Sequence, residues 1–185
     1  MRAMTKLSQA IAEGDGISVL VEVADPDAAV RAESQGAEGL VVGARASEIR
    51  AATGLPLLHR GTPADAHAAG AHAIVVPPER AAWDAASALG LECVVRVESA
   101  EQLGDALEQL DPEVLLLAVE VGSGDDPLET LLALLHDVPA GKLAIAELPR
   151  ASADDVAELE RAGVDAVLVA AGDISALVAD GHPDV

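Results

Sequence analysis

Eight short apolar runs recur along the 185-residue chain at nearly constant spacing, each followed by a stretch with helical periodicity. They are Ser18–Val23, Gly39–Gly43, Leu55–Arg60, Ala73–Val76, Glu92–Val97, Val114–Val119, Leu143–Leu148 and Ala166–Ala170. Each is rich in Val, Leu and Ile, as a parallel strand buried on both faces must be. Eight strand–helix repeats without a long crossover predict a closed cylinder, the compact (β/α)8 TIM barrel, as a single domain over residues 1–185. Such barrels typically take about 250 residues, so the helices and loops must be truncated. An open, doubly wound sheet has the same local pattern, and the number of repeats favours closure.

A closed barrel fills its centre with layers of branched side chains. The composition suits that: Phe and Tyr are absent, Trp83 is the only aromatic residue, and Leu, Val, Ile and Ala supply the apolar volume. A short leading helix is expected over Thr5–Glu13, ended by Gly14 and Gly16. The next opens at Asp25-Pro26-Asp27, with an acidic N-cap and an early proline, and runs to Gln35. Further helices are expected over Ala46–Ala52, Pro63–Ala69, Glu79–Leu89, Ala100–Leu110, Pro127–His136 and Ala153–Ala162. After Ile174 only Ser175–Ala179 remain for a helix behind the last strand, which predicts thin cover there. Gly36, Gly54, Gly70, Gly90 and Gly163 stand between a helix and the next strand, where glycine supplies a left-handed helix end. Three turn-into-strand segments (Gln35–Val42, Ala69–Val76 and Ala162–Val169) resemble one another, as repeated βα units do.

Reactive groups of such barrels sit at the C-terminal ends of the strands. Five charged residues interrupt or close the apolar runs there: Glu22, Arg60, Arg96, Glu120 and Glu147. Strand side chains alternate in direction, so inward orientation would make a ring of three carboxylates and two guanidiniums at the mouth. Glu22 and Glu147 are the acid/base candidates; Arg60, Arg96 and Glu120 are the substrate-binding candidates. The same ring can equally be an internal ion-pair network that closes a small barrel. Opposite charges ~4 Å apart attract by about 4 kcal/mol at an effective dielectric near 20, before desolvation is subtracted.

The net charge is −21, from 32 acidic against 11 basic residues. A surface this acidic repels phosphate backbones and anionic lipid, which excludes nucleic-acid and membrane-surface binding. An anionic small molecule remains an expected ligand only if a local cationic pocket overrides that field. Abundant Asp and Glu with only two lysines also suit a salt-rich, halophilic cytoplasm. Cys93, the only cysteine, excludes an intrachain disulfide and a Cys-based metal site. No P-loop, dinucleotide fingerprint or Cys/His nucleophile pair appears, so no cofactor and no metal are expected. His67 and His72 have poor metal-ligand spacing, and His59 should point outward if Arg60 points inward. Gly122-Ser123-Gly124 reads as a flexible turn beside Asp125 and Asp126. In Ala171-Gly172-Asp173 with Ser175, Asp173 reads as a plain N-cap. No run is long enough for a membrane span or a secretion signal, which predicts a cytoplasmic protein.

The segments Ile17–Val23, Leu55–Arg60, Cys93–Glu98 with Ser99–Leu103, and Ser152–Val169, in that order, resemble the indole-3-glycerol phosphate synthase family. The similarity runs from about residue 5 to residue 178 and includes the leading helix. The resemblance implies a barrel related to tryptophan biosynthesis. It implies a lyase that closes an indole ring by decarboxylation and dehydration of an anilino-sugar phosphate, using lysines and glutamates as acids and bases. Glu22 and Glu147 match glutamates of that family's first and seventh strands. Its lysines fall on Ala24 and Arg60, its fifth-strand glutamate on Arg96 and its sixth-strand asparagine on Glu120. Its Ser-Gly phosphate contact falls on Leu148-Pro149, and its eighth-strand glycine on Ala170. An arginine is a permanent charge where the family has a tunable acid, and proline offers no N–H to a phosphate. The expectation is therefore a diverged, non-catalytic barrel of this type. A surviving phosphate-sugar lyase or isomerase and a protein-interaction module are the alternatives, with association of a second copy left open.

Overall fold

The computed structural model describes residues 6–120, 124 and 126–178. A leading helix α1 (Leu7–Ala12) precedes strand β1 (Ser18–Glu22), and α2 (Pro26–Ser34), β2 (Gly39–Val42), α3 (Ala46–Ala52) and β3 (Leu57–His59) follow. The chain continues through α4 (Pro63–Ala68), β4 (Ala73–Val76), α5 (Arg80–Ala88), β5 (Glu92–Val97), α6 (Ala100–Gln109) and β6 (Val114–Leu117). It ends with α7 (Pro127–His136), β7 (Leu143–Glu147), α8 (Ala153–Ala162) and β8 (Ala166–Ala170). The strands pair in parallel in sequence order, and β8 closes onto β1. Following the pairings once around the ring returns to β1 about eight residues earlier, the stagger of a (β/α)8 barrel.

Local chemistry explains the helix boundaries. Asp25, Thr62, Ser99, Asp126 and Ser152 each accept a backbone N–H of the first turn through the side chain. Ser152 and Asp155 form a reciprocal capping box. Gly36, Gly70, Gly90 and Gly163 all take positive φ between helix and strand. Gly54 does not: α3 ends at Thr53 in extended backbone, so the left-handed stop expected at Gly54 is absent. Instead the Thr53 hydroxyl accepts the Leu55 N–H and donates to Glu33. Strand β3 is also shorter than its apolar run, because Leu55 and Pro56 lead into it and Arg60 lies just past its end.

The core has two shells. The outer one lies between strands and helices, with Val19, Val21, Leu57, Ile74, Val95, Leu115 and Val167 facing Ala29, Ile49, Ala66, Leu103, Leu131 and Leu159. The inner one fills the cylinder with Leu20, Val41, Leu58, Ala73, Val94, Val114, Leu116, Ile145, Ala166 and Leu168. Leu7 and Ile11 of α1 join this inner shell, so the leading helix plugs the N-terminal end of the barrel. Gly39 makes room for the plug: a Cβ there would lie 2.9 Å from Leu20 and 3.3 Å from Leu7 side-chain carbons. Glu92 holds the helix in place by accepting the Ser8 N–H at 3.2 Å.

After β8 the described chain makes only turns, so no helix among the described residues covers the β8–β1 side. Leu177 and Val178 pack there instead, with Val178 against Gly36. Among the described residues no helix is long and apolar enough to cross a membrane.

Candidate functional site

The strand register puts four of the expected residues on one level. Glu22 pairs across to Val41 and Val41 to Leu58, two residues before Arg60. Val75 pairs to Val94, two before Arg96. Arg96 pairs to Leu116 and Leu116 to Ile145, two before Glu147. Glu147 pairs to Leu168 and Leu168 to Leu20, two before Glu22, which closes the circuit. A barrel of this stagger draws each interior layer of four side chains from alternate strands. Glu22, Arg60, Arg96 and Glu147 are therefore the uppermost layer of β1, β3, β5 and β7. The apolar layer Leu20, Leu58, Val94 and Ile145 lies directly beneath it, each residue at most 1% exposed.

Within that layer the charges engage one another. Glu147, the most enclosed, with 14% of its side chain exposed, takes Arg60 Nη2 on Oε1 at 2.5 Å and Arg96 Nε on Oε2 at 3.1 Å. Glu22, half exposed, lies 3.6 Å from Arg60 Nε. Arg96 Nη1 donates to Glu98 Oε1 at 2.5 Å. The chain Glu22–Arg60–Glu147–Arg96–Glu98 holds three carboxylates and two guanidiniums, so it has one negative charge in excess. Burial pulls the Arg96 guanidinium down, but hydrogen bonds and charges from Glu98 and Glu147 outweigh it and hold Arg96 above its ordinary value.

Glu120 is not part of this constellation. Strand β6 ends at Leu117, and the Glu120 side chain is exposed with no ion-pair partner among the described residues. Alternation gives its parity correctly, but parity carries no information once the strand has stopped. Glu98 is the member the sequence reading misses. Its signal was present: it stands two residues after Arg96 and so shares the inward side, just before the Ser99 cap.

The weaker candidates resolve individually. His59 turns away from the barrel centre, as expected, into an open groove of about 590 Å3 beside Ala46, Ala68 and Ala69. Burial lowers its pKa. His72 accepts the Leu57 N–H on Nδ1 at 3.1 Å, and burial lowers its pKa as well, with the nearby Arg50 acting in the same direction. Among the described residues no three His, Cys, Asp or Glu side chains converge as metal ligands would. Cys93 is buried, and burial raises its thiol pKa, so the nucleophilic thiolate is disfavoured. Asp173 caps a turn rather than a helix, taking the Ser175 N–H at 3.1 Å; that residue's hydroxyl and N–H hold the carboxyl below its usual range. Gly122, Ser123 and Asp125 of the expected flexible turn lie outside the described residues, as does His182.

No family model matches the sequence, and no curated protein matches it. Solved structures do. N-acetylmannosamine-6-phosphate 2-epimerase from Clostridium perfringens superposes with TM-score 0.70 at 15% identity, covering 85% of this chain and 87% of that one. Thiamine phosphate pyrophosphorylase from Pyrococcus furiosus gives 0.65 at 17% identity over 89% of both chains. Dihydropteroate synthase from Xanthomonas albilineans, in complex with 7,8-dihydropteroate, gives 0.64 at 20% identity over 88% of this chain and 89% of that one. At these identities the likeness establishes the architecture, a compact (β/α)8 barrel, and the function has to be argued from the mouth itself.

Proposed function

We propose that this chain is a diverged, non-catalytic relative of the indole-3-glycerol phosphate synthase barrels, in which an ion-pair layer has replaced the reactive groups of the mouth. One observation carries the reading: Glu147 engages both arginines of the mouth, at 2.5 and 3.1 Å. A phosphate or carboxylate ligand would have to compete with a carboxylate that already bridges both guanidiniums, inside a cluster with net negative charge. Where the resembled family has a lysine and a glutamate stand Arg60 and Arg96, whose guanidiniums stay protonated near neutral pH and cannot serve as tunable acids.

The layer then serves the fold. It closes that end of the cylinder with ion-paired groups, as the α1 plug closes the opposite end with apolar ones. The test is direct turnover. Incubated with the anilino-sugar phosphate that the resembled family cyclises, the protein should release no indole product, and it should fail to support a tryptophan auxotroph. Product formation that disappears in Glu147→Gln would overturn the proposal.

A second reading is supported by Glu22, which is half exposed at the rim while Arg60 holds its position. Glu22 is the one carboxylate of the layer with the access a general base needs. Under that reading the barrel is a small-molecule lyase or isomerase, and Glu22→Gln would abolish a measurable turnover without lowering the melting temperature.

A further inference from the structure

At the N-terminal end of the barrel, three oxygens of different chemistry lie on the open side of Gly14. Ser18, the first residue of β1, is 1% exposed, and its hydroxyl has no hydrogen-bond partner among the described residues. Glu38, just before β2, has a buried Oε2 that is equally unpartnered. The loop joining α1 to β1 supplies the third oxygen, the Gly16 carbonyl. All three converge on the cradle that glycine leaves at position 14. A Cβ there would lie 3.1 Å from Ser18 Oγ, 3.5 Å from Glu38 Oε2 and 3.5 Å from the Gly16 oxygen.

A buried hydroxyl and a buried carboxylate oxygen without partners are each costly, and such groups are normally satisfied by something. The set is one hydroxyl, one carboxylate and one carbonyl. It contains no nitrogen or sulfur donor, so it does not suit zinc or another borderline metal. All-oxygen donors suit a hard cation, and a single negative charge suits a monovalent one. Glu38 also has no ion-pair partner of its own among the described residues. We propose that Ser18 Oγ, Glu38 Oε2 and the Gly16 carbonyl bind a hard monovalent cation of about sodium's size, which ties the α1–β1 loop to the base of β2. The site is independent of the charged layer at the opposite end.

The probe is sodium itself. Melting temperature is followed as sodium chloride replaces choline chloride at fixed ionic strength, together with the sodium-23 relaxation rate. The expected result is a rise of about 2–4 °C that saturates with sodium, accompanied by broadening of the sodium resonance. Gly14→Ala places a methyl group in the cradle, 3.1 Å from Ser18 Oγ, on backbone that is not left-handed, so only the serine hydroxyl has to shift. Glu38→Gln removes the charge. Both variants should lose the sodium-specific rise and the broadening. If choline supports the same melting temperature as sodium, or if the sodium effect survives in Gly14→Ala, the proposal is overturned and these oxygens are satisfied by water.

Discussion

At His72 the imidazole Nδ1 receives the Leu57 N–H, so it serves β3 only while that nitrogen is unprotonated. Its folded pKa lies below the ordinary value of about 6.5, because burial disfavours the charged ring. The unfolded chain therefore takes up this proton first as pH falls. The contribution to stability is complete above about pH 6.5 and is lost as pH drops toward the depressed folded value. His72→Gln offers an amide oxygen to Leu57 with no titration. The stability advantage of the histidine over this variant should therefore shrink between about pH 7.5 and about pH 5.5 in paired melting curves. A constant gap would show that the ring does not titrate with folding. Single residues also mark the limit of what the sequence discloses. Glu22, Arg60, Arg96 and Glu147 were legible because each breaks or closes an apolar run at an inward position. Glu98 follows its strand and Glu120 lies beyond the end of its own, so only the coordinates sort one into the cluster and the other out of it. The pairing of Glu147 with two arginines, rather than one, was not legible either, since it depends on the stagger between strands that are not neighbours.

Among the elements, the strands were readable because a strand buried on both faces has nothing but its own composition to advertise, and that composition is unmistakable here. Most helix ends were readable from caps and glycines, and Gly54 misled because a threonine side chain did the work a left-handed glycine does elsewhere. The leading helix was expected, but its role as a plug was not, since six residues of helix give no sign of what lies above them. Leu7 is fully buried and shares the interior with Leu20 and Leu58. Leu7→Ala should cost about 2–5 kcal/mol in chemical denaturation, the range for a core leucine whose cavity cannot collapse. A cost below about 1 kcal/mol would mean that the barrel base is closed without α1. Among the described residues the cover is thin after β8, where no helix follows the strand. A groove of about 320 Å3 lies between α2 and the turn at Gly172–Asp173.

For the whole molecule, a charge of −21 on a fold of this size works against compactness, because like charges over the surface repel at distances that salt screens. Melting temperature should rise steadily as choline chloride is raised toward about 1 M, where the Debye length falls to about 3 Å. A midpoint indifferent to salt would remove the halophilic reading. The same charge frames the mouth. Its two arginines stand in a negative field beside three glutamates, and under the proposed function that layer is a closure with no cationic site left for an anion. Glu147 is the keystone of that layer. Replacing it with glutamine leaves two guanidiniums facing one another, at a cost of roughly 1–3 kcal/mol, between the limits for exposed and buried pairs. The decisive measurement compares the melting temperatures of the unaltered protein and Glu147→Gln with and without millimolar phosphate at fixed ionic strength. The account predicts no phosphate effect on the unaltered protein, and a lowered melting temperature in the variant that phosphate partly restores. A saturable phosphate stabilisation of the unaltered protein would contradict it.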